Sequence, residues 1–308
     1  MRNPDSLPPK VNQDTPQGLA FALTAYVMWG FLPLYMKLLS HISPAEVVVH
    51  RILWSLPIAA VVLIILRRTD ALREALRNPK MLGMACVTAA LISVNWGIYV
   101  YAITTGNALA ASLGYYINPL FSVFLAAVVL GERPSRAQVV AIALAAAAVV
   151  VIALEAGQVP WVALALTLSW GFYALAKKSL PIGPNQGFLL EVLILLFPAL
   201  GYFVYLTATG QSHFSLSFDR DSWLLIGCGL VTAVPLMIYV NGAKLLRLST
   251  IGVLQYIAPT MIFLVAVFVF DEPFGRARMI AFPMIWLALI IYSTSMLRQM
   301  RQHRPEVG

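Results

Sequence analysis

Polar and ionisable side chains inside long apolar runs are the residues of this sequence most able to do chemistry. His50, Arg51 and Glu191 are the ionisable ones. A charge deep in an apolar helix costs roughly 2.5–3.5 kcal/mol on insertion scales, so such residues usually face a partner or a water-filled cavity. We expect these three to couple or gate the movement of a solute. The alternative is that they snorkel or hydrogen-bond locally near an interface.

Arg51 and Glu191 are not expected to pair with each other. Counted along their apolar runs, Arg51 lies ~7 Å from one membrane face and Glu191 ~6 Å from the other. In a hydrocarbon core of ~30 Å, more than ~15 Å then separates their backbones. His50 matches Glu191 when the chain is compared with itself at an offset of 141 residues. Each of the two is therefore expected to serve one end of a pathway.

A second group of polar residues is neutral and lies deeper. Asn118 and Pro119 are ~14 Å along the fourth apolar run. Gln255, Tyr256 and Pro259 are ~6–12 Å along the ninth, counted from the opposite face. Pro119 and Pro259 each leave a carbonyl without its helical donor. These features predict a polar pocket near the midplane, the alternative being ordinary kinks and interhelical hydrogen bonds. The predicted substrate-contacting residues are Asn95, Trp96, Tyr115, Tyr116, Asn118, Gln255 and Tyr256.

Within this group, Asn95 and Trp96 are expected to cap the pocket from its outer half. An asparagine in lipid needs a hydrogen-bonding partner, so Asn95 faces the bundle, where either substrate or another helix would serve. Aromatic faces and neutral hydrogen-bonding groups suit zwitterionic or cationic solutes better than strongly acidic ones.

Several enzyme and cofactor patterns are missing from the sequence. There is no Gly-Lys dipeptide and hence no Walker A loop. Cys86 and Cys228 both lie in apolar runs, and no Cys/His spacing resembles a zinc site. The segment 227–229 (GCG) lacks the third glycine of a dinucleotide fingerprint. We predict no catalytic residue, no metal and no cofactor.

The elements that position these residues are set by composition. Apolar residues make up 60% of the chain and charged residues only 11%, whereas soluble domains carry about a quarter charged residues. Lipid must therefore be the solvent, and continuous apolar runs indicate helices rather than barrel strands. The ten predicted spans are 18–39, 45–66, 81–103, 109–130, 139–154, 160–176, 187–206, 223–239, 251–270 and 279–296.

Charge placement predicts the orientation. Sixteen of the 21 Lys and Arg residues fall at the termini or at connections on the same side as the termini. Basic residues concentrate on the cytoplasmic side of membrane proteins, so both termini are expected to be cytoplasmic.

An internal repeat is the most informative pattern. At offsets of 141 and 140 residues, several short stretches fall on similar ones. The matched pairs are 29–31 (WGF) with 170–172 (WGF), 116–119 (YINP) with 256–259 (YIAP), Pro57 with Pro198, and Glu132 with Glu272. Because each half holds five spans, the second half must enter the membrane from the opposite side. Inverted repeats of this kind are typical of transporters with alternating access.

Six stretches together resemble a known family. They are 26–38 (YVMWGFLPLYMKL), 46–55 (EVVVHRILWS), 95–96 (NW), 112–120 (SLGYYINPL), 130–133 (LGER) and 247–260 (RLSTIGVLQYIAPT). In this order they are similar to the RarD group (chloramphenicol-sensitive protein) of EamA-type transporters, within the drug/metabolite transporter superfamily. The resemblance implies an inverted 5+5 bundle of ten helices and a central cavity that moves metabolites or drugs without ATP. The candidate site residues match the group's polar membrane positions, and the 130–133 motif is expected to act in topology or gating.

The sequence therefore predicts an all-α polytopic membrane protein that is not an enzyme. We expect a secondary transporter, an exporter or exchanger, of a small amphipathic metabolite or drug across the bacterial inner membrane, with protons as a candidate coupling ion. The expected partners are substrate and lipid but not nucleic acid, with the chain a monomer or homodimer. The alternative function is an integral membrane enzyme acting on a lipid or isoprenoid. The expected divisions are a tail at 1–17, repeats at 18–156 and 157–297, and a tail at 298–308.

Overall fold

The computed structural model describes residues 14–65, 70–129, 131–217 and 219–302, and within these ranges it is helical without strands. The helices are α1 Pro16–Lys37, α2 Pro44–Ile65, α3 Asp70–Arg77, α4 Pro79–Thr104, α5 Ala108–Val129, α6 Arg136–Ala156, α7 Trp161–Ser179, α8 Pro184–Ala208, α9 Arg220–Ala243, α10 Leu248–Leu254, α11 Ile257–Phe268 and α12 Arg276–Gln302.

Local signals start and stop these helices. The Thr15 side chain caps α1, with Pro16 as the first helical residue. A proline there has the right backbone angle and lacks only an amide that would be unpaired anyway. Ser135 and Gln138 form a reciprocal capping box at the start of α6, and Gly157, left-handed, ends that helix.

The helices confirm a polytopic all-α membrane protein. Among the described residues, nine helical stretches are long and apolar enough to cross a membrane. The predicted sixth span corresponds to α7, which has 19 residues and falls outside those nine because Lys177 and Lys178 lower the apolar character of its last turn. The count of ten spans therefore stays a prediction.

Two details of the helices were not anticipated. The short amphipathic α3, the next helix after α2 in the described chain, packs on α4 and α8. The predicted ninth span is broken: α10 ends at Leu254 and α11 begins at Ile257. At the break the Tyr256 amide bonds to the Val253 carbonyl at 3.3 Å, and Pro259 has no amide to give to the Gln255 carbonyl.

Some predicted features fall on residues outside the described ranges. These are most of the N-terminal tail, the last six residues, Leu130 of the 130–133 motif, and the basic residues Arg2, Lys10, Arg67, Arg68 and Arg304. Within the described ranges, α1 begins inside the predicted N-terminal tail and α12 continues to Gln302, past the predicted limit at residue 297.

Several helix contacts in the bundle occur twice when the helices of the two halves of the chain are matched in order. The matched helices are α1 with α7, α2 with α8, α4 with α9, α5 with α11, and α6 with α12. We call the end of the bundle where α1 begins the first end, and the other the second end. The contacts of α1 with α9 have a counterpart in α7 with α4, those of α2 with α9 in α8 with α4, and those of α5 with α7 in α11 with α1. The pairs α2–α8, α5–α11 and α6–α12 also pack directly.

The turns after α5 and α11 have the same backbone form. Gly131 has a φ of 68° and Asp271 a φ of 51°, both in the left-handed region. The next residue in each turn donates its amide back into the helix, Glu132 to the Ala126 carbonyl at 3.2 Å and Glu272 to the Ala266 carbonyl at 3.0 Å. Each of these residues in the turn after α5 precedes the matching residue in the turn after α11 by 140 positions.

Candidate functional site

Arg51 is a buried cation in the interior of the bundle, ~10 Å along α2 from the second end. Its side chain is 4% exposed. Its Nε donates to the Thr232 hydroxyl on α9 at 2.9 Å. The guanidinium carbon lies 4.8 Å from the centroid of the Trp96 ring on α4, which is a cation–π distance. Three helices therefore hold this one side chain.

A glycine allows α9 to come close enough for the Arg51–Thr232 contact. A Cβ at Gly229 would overlap the backbone carbonyl of Trp54 on α2, so no other residue fits there without moving the helices apart. Thr232 follows Gly229 by three residues and donates its own hydroxyl to the Cys228 carbonyl at 2.7 Å. That bond leaves its oxygen oriented to accept from Arg51.

Asn95 joins α4 to α7. Its amide nitrogen donates to the Leu166 carbonyl at 3.2 Å and to the Ser169 hydroxyl at 2.9 Å. The Tyr115 hydroxyl donates to the Asn95 side-chain oxygen at 3.4 Å, and the Tyr115 ring packs against Tyr99 with centroids 5.8 Å apart. The sequence left either substrate or another helix as the partner of Asn95. In this structure the partner is the neighbouring helix, α7.

The remaining predicted residues gather where α5 meets α11 and its break. The Tyr116 hydroxyl shares a 2.7 Å hydrogen bond with the Thr260 hydroxyl. Asn118 is buried on α5. The side-chain amide nitrogen of Gln255 donates to the Gly252 carbonyl in its own turn at 3.0 Å. The two proline-containing stretches touch through the Tyr116–Thr260 contact. The seven predicted residues divide into one group on the Arg51 side and another toward the α10–α11 break, and their role in binding stays a prediction.

Several buried polar atoms of this region have no hydrogen-bond partner among the described residues. They include Arg51 Nη1, Ser55 Oγ, Tyr99 Oη, Asn118 Oδ1 and His50 Nε2. Buried polar groups in proteins are nearly always paired with protein, water or ligand, and exceptions call for an explanation. Their concentration on α2, α4 and α5 gives the bundle interior donors and acceptors that a solute can use.

The side chains of Glu191 and His50 have partners different from those of Arg51 and from each other's. Glu191 is 1% exposed and pairs with Lys177 at 2.5 Å between Oε1 and Nζ. His50 is held by Trp54, whose indole donates to Nδ1 at 3.2 Å, and by the rings of Phe203 and Phe214. A neutral His50 accepting at Nδ1 carries its proton on Nε2.

A cleft of about 900 Å³ opens at the second end, among the α1–α2 connection and the ends of α4 and α8. Two histidine–carboxylate contacts lie there: His213 Nδ1 with Glu46 Oε2 at 2.8 Å, and His41 Nε2 with Asp221 Oδ2 at 2.9 Å. Across the described ranges, no group of three or more His, Cys, Asp or Glu could hold a metal ion.

Sequence reasoning missed four residues of this interior. Thr232, Tyr99 and Ser55 contribute polar atoms beside the predicted ones, and Lys177 is the partner of Glu191. A signal existed for two of them. Ser55 is one helical turn from Arg51, and Lys177 lies close to the same α7–α8 connection as Glu191.

Comparison with known proteins gives consistent matches. Residues 16–154 match the model of the EamA-like transporter family. The chain is 41% identical to Protein RarD of Streptomyces exfoliatus over 96% of this chain and 94% of that protein. It is 40% identical to an uncharacterized transporter of Vibrio cholerae, over 93% and 95%. It is 38% identical to Protein RarD of Escherichia coli K12, over 91% and 95%.

A solved structure is similar in fold. It covers 91% of this chain and 98% of its own, with a TM-score of 0.59 and 20% sequence identity. At that identity the likeness concerns the arrangement of helices alone.

Proposed function

The chain belongs to the EamA-like transporter family as a relative of the RarD proteins, and from that premise we propose that it moves a small amphipathic metabolite or drug by alternating access. It is a membrane transporter of the drug/metabolite superfamily, in contact with lipid and a small-molecule substrate. Export or exchange is the direction we propose, without a covalent step. The observation that carries the proposal is the set of partnerless polar atoms inside an apolar bundle.

Alternating access rests on two inverted halves. The corresponding contacts of α1–α9 with α7–α4, and of α5–α7 with α11–α1, support this duplication. So does the common backbone form of the Gly131 and Asp271 turns. Two halves that pack against each other through matched surfaces can exchange roles, so that a site between them faces first one side and then the other.

The pathway is proposed to run between the Arg51 group and the α10–α11 break. Tyr116 connects the two regions because its hydroxyl bonds to Thr260 on α11. Asn118 and Gln255 supply amide groups at the break, while Trp96 and Tyr115 offer flat apolar faces. Such a mixture suits a cargo that is apolar over most of its surface and polar at one end.

The protein is a multi-pass protein of the bacterial inner membrane. We propose that both termini, and with them the first end, face the cytoplasm. Lys80, Arg133, Lys178 and Lys244 stand at or near helix termini at that end, and basic residues are favoured there on the cytoplasmic side. Arg133 belongs to the 130–133 motif, whose turn we assign to gating at that face.

Exchange of labelled solute in proteoliposomes tests the proposal. The double variant Asn118→Ala with Gln255→Ala removes two amides of the pathway and is expected to slow exchange at least tenfold, about the value of one or two hydrogen bonds. The control is Gln158→Ala with Gln211→Ala, which removes two exposed amides outside the bundle. Full activity in the first double variant would remove this pathway from consideration.

A further inference from the structure

The three carboxylates that are buried in the described part of the bundle each have a polar partner. Glu46 accepts from the His213 backbone amide and contacts its ring Nδ1, Glu191 is paired with Lys177, and Glu272 accepts two backbone amides at the start of α5. Arg51 is buried to the same degree, yet no carboxylate among the described residues lies within 4.0 Å of it. The interior thus carries one positive charge without a counter-ion in the described part of the chain.

We propose that Arg51 binds an anionic group of the cargo, and that the cargo is a small organic carboxylate with a flat apolar body. This assignment rests on the proposed function and specifies its substrate class. An arginine keeps its charge at any ordinary pH, so it cannot relieve its burial by losing a proton. A buried charge that stays unpaired is strongly destabilising, and a bound anion removes that cost.

The contacts that Arg51 already has are too weak to replace an anion. Its Nε bonds to a neutral hydroxyl, and one face of the guanidinium meets the Trp96 ring. The other groups within electrostatic reach are Tyr99, Tyr115 and Cys228, which are neutral at physiological pH. Dipoles and a ring quadrupole favour the cation, but each supplies a fraction of what a carboxylate gives at hydrogen-bonding distance.

Hydrogen-bond donors without a partner are present beside the Arg51 charge. Arg51 Nη1 has no partner among the described residues, and the same is true of the Ser55 and Tyr99 hydroxyls. Ser55 follows Arg51 by one helical turn and therefore lies on the same face of α2. A guanidinium and two hydroxyls are the donors that carboxylates accept from.

The surrounding rings indicate what the anionic group is attached to. Trp96 lies against the guanidinium, and Tyr99 packs on Tyr115 at 5.8 Å. Flat side chains of this kind hold flat or apolar groups by stacking. The sequence favours zwitterionic or cationic solutes. A zwitterion remains compatible with Arg51 through its carboxylate, whereas a purely cationic solute would meet like charge.

Three compounds with one benzene ring and an anionic, a neutral or a cationic substituent of similar size test the assignment. Benzoate, benzamide and benzylamine are each titrated into the full-length protein in detergent at equal ionic strength, with intrinsic tryptophan fluorescence and thermal unfolding as readouts. Benzoate is expected to bind saturably and raise the unfolding temperature, and the other two to have little effect. Benzoate no better than benzamide in the unmodified protein would overturn the proposal, and so would equal stabilisation by chloride. This comparison uses only the unmodified protein, so its outcome does not depend on whether a variant folds.

Arg51→Met then removes the charge while keeping an apolar stem of similar length. Benzoate affinity is expected to fall ~10–100-fold, the value of a charge-assisted hydrogen bond. The matched control Arg276→Met changes an exposed arginine and should bind benzoate unchanged. If Arg51→Met binds benzoate like the unmodified protein, the assignment fails. If liposomes then still exchange neutral or cationic solutes and lose that exchange in the Asn118→Ala and Gln255→Ala double variant, the transport proposal stands without it.

Discussion

Glu191 on α8 and Lys177 on α7 form a mostly buried ion pair, with the Lys177 ammonium, whose side chain is 21% exposed, 2.5 Å from an oxygen of the buried Glu191. The second Glu191 oxygen accepts from the Tyr173 hydroxyl at 3.3 Å. Both charges lie near the α7–α8 connection, so this carboxylate is neutralised by its neighbour on the adjoining helix rather than by Arg51, which lies toward the second end.

Glu191→Gln is expected to destabilise the protein by about 3 kcal/mol, because it leaves the Lys177 charge buried without a partner. Adding Lys177→Met should recover most of the loss. Unfolding in detergent, followed by circular dichroism, measures both. Lys178→Met is the matched control, since this neighbouring lysine is exposed. An equal loss from Lys178→Met would contradict the pairing.

Proton coupling through Glu191 or His50 is expected to make transport respond to a pH gradient. Both residues are 1% exposed, and they are matched with each other in the proposed inverted repeat. Solute flux into proteoliposomes should rise severalfold when a gradient is imposed, and Glu191→Gln or His50→Gln should abolish the response. If solute flux through the unmodified protein were the same with and without the pH gradient, facilitated diffusion would be indicated instead.

Glu272→Gln is expected to cost about 1–2 kcal/mol, the range for a lost helix cap or charge-assisted bond. The Glu272 oxygens accept from the amides of Ala108 at 2.6 Å and Leu109 at 2.9 Å, and an amide side chain has one oxygen rather than two. Hydrogen exchange at the start of α5 should also quicken. Glu155→Gln, at an exposed carboxylate near the end of α6, is the control; equal effects would show that the cap contributes nothing.

Gly131→Ala and Gly83→Ala are expected to change stability in opposite directions. Gly131 has a φ of 68°, where an alanine costs about 1 kcal/mol. Gly83 is inside α4 with nothing within 4 Å of an added Cβ, so alanine there should stabilise by about 0.5–1 kcal/mol. Thermal unfolding of the two variants side by side checks the pair, and the same sign for both would be inconsistent with the backbone form described.

Asp14 ties the start of α1 to the α9–α10 connection and gives a pH dependence. The Arg247 amide donates to it at 2.9 Å and the Thr250 hydroxyl at 2.8 Å, and the Arg247 amide holds the Asp14 pKa below its ordinary 3.8. A lowered carboxyl pKa stabilises the fold above the unfolded-state pKa, and that contribution is lost as pH falls through the folded-state pKa.

Asp14→Asn should therefore be less stable than the unmodified protein near neutral pH, by under about 1 kcal/mol because the Asp14 side chain is 24% exposed and an asparagine oxygen can still accept one of the two hydrogen bonds. The difference should stay constant down to about pH 5 and shrink below the ordinary carboxyl pKa. Unfolding temperatures measured across this range give the curve. A difference that grew in acid would have the wrong sign for this contact.

Helix positions were predictable because the membrane fixes the length of apolar sequence. Most predicted spans begin and end within about three residues of the observed helices, the usual limit of such boundaries. The proline at Pro259 also predicted a lost hydrogen bond beside Gln255, where the break occurs. The short α3 was missed because eight residues with four charges contain no apolar run.

The contacts of the site were less predictable. Position along an apolar run gives the depth of a residue in the membrane, but not the neighbouring helix that its side chain faces. Depth correctly separated Arg51 from Glu191, and the two have different partners. It did not single out Thr232, because that contact requires α9 to approach α2 at Gly229. Such an approach follows from the packing of helices distant in sequence, which no local pattern reports.

The interruption between Leu254 and Ile257 has a mechanical consequence. A sharp bend in a continuous helix breaks some of its backbone hydrogen bonds. In lipid, each backbone group left without a partner is costly. Here the Gln255 carbonyl already lacks a helical donor because Pro259 has no amide, and the Tyr256 amide bonds to Val253 rather than to the residue four positions back. A bend between α10 and α11 therefore costs fewer hydrogen bonds than a bend of the same size within an unbroken span.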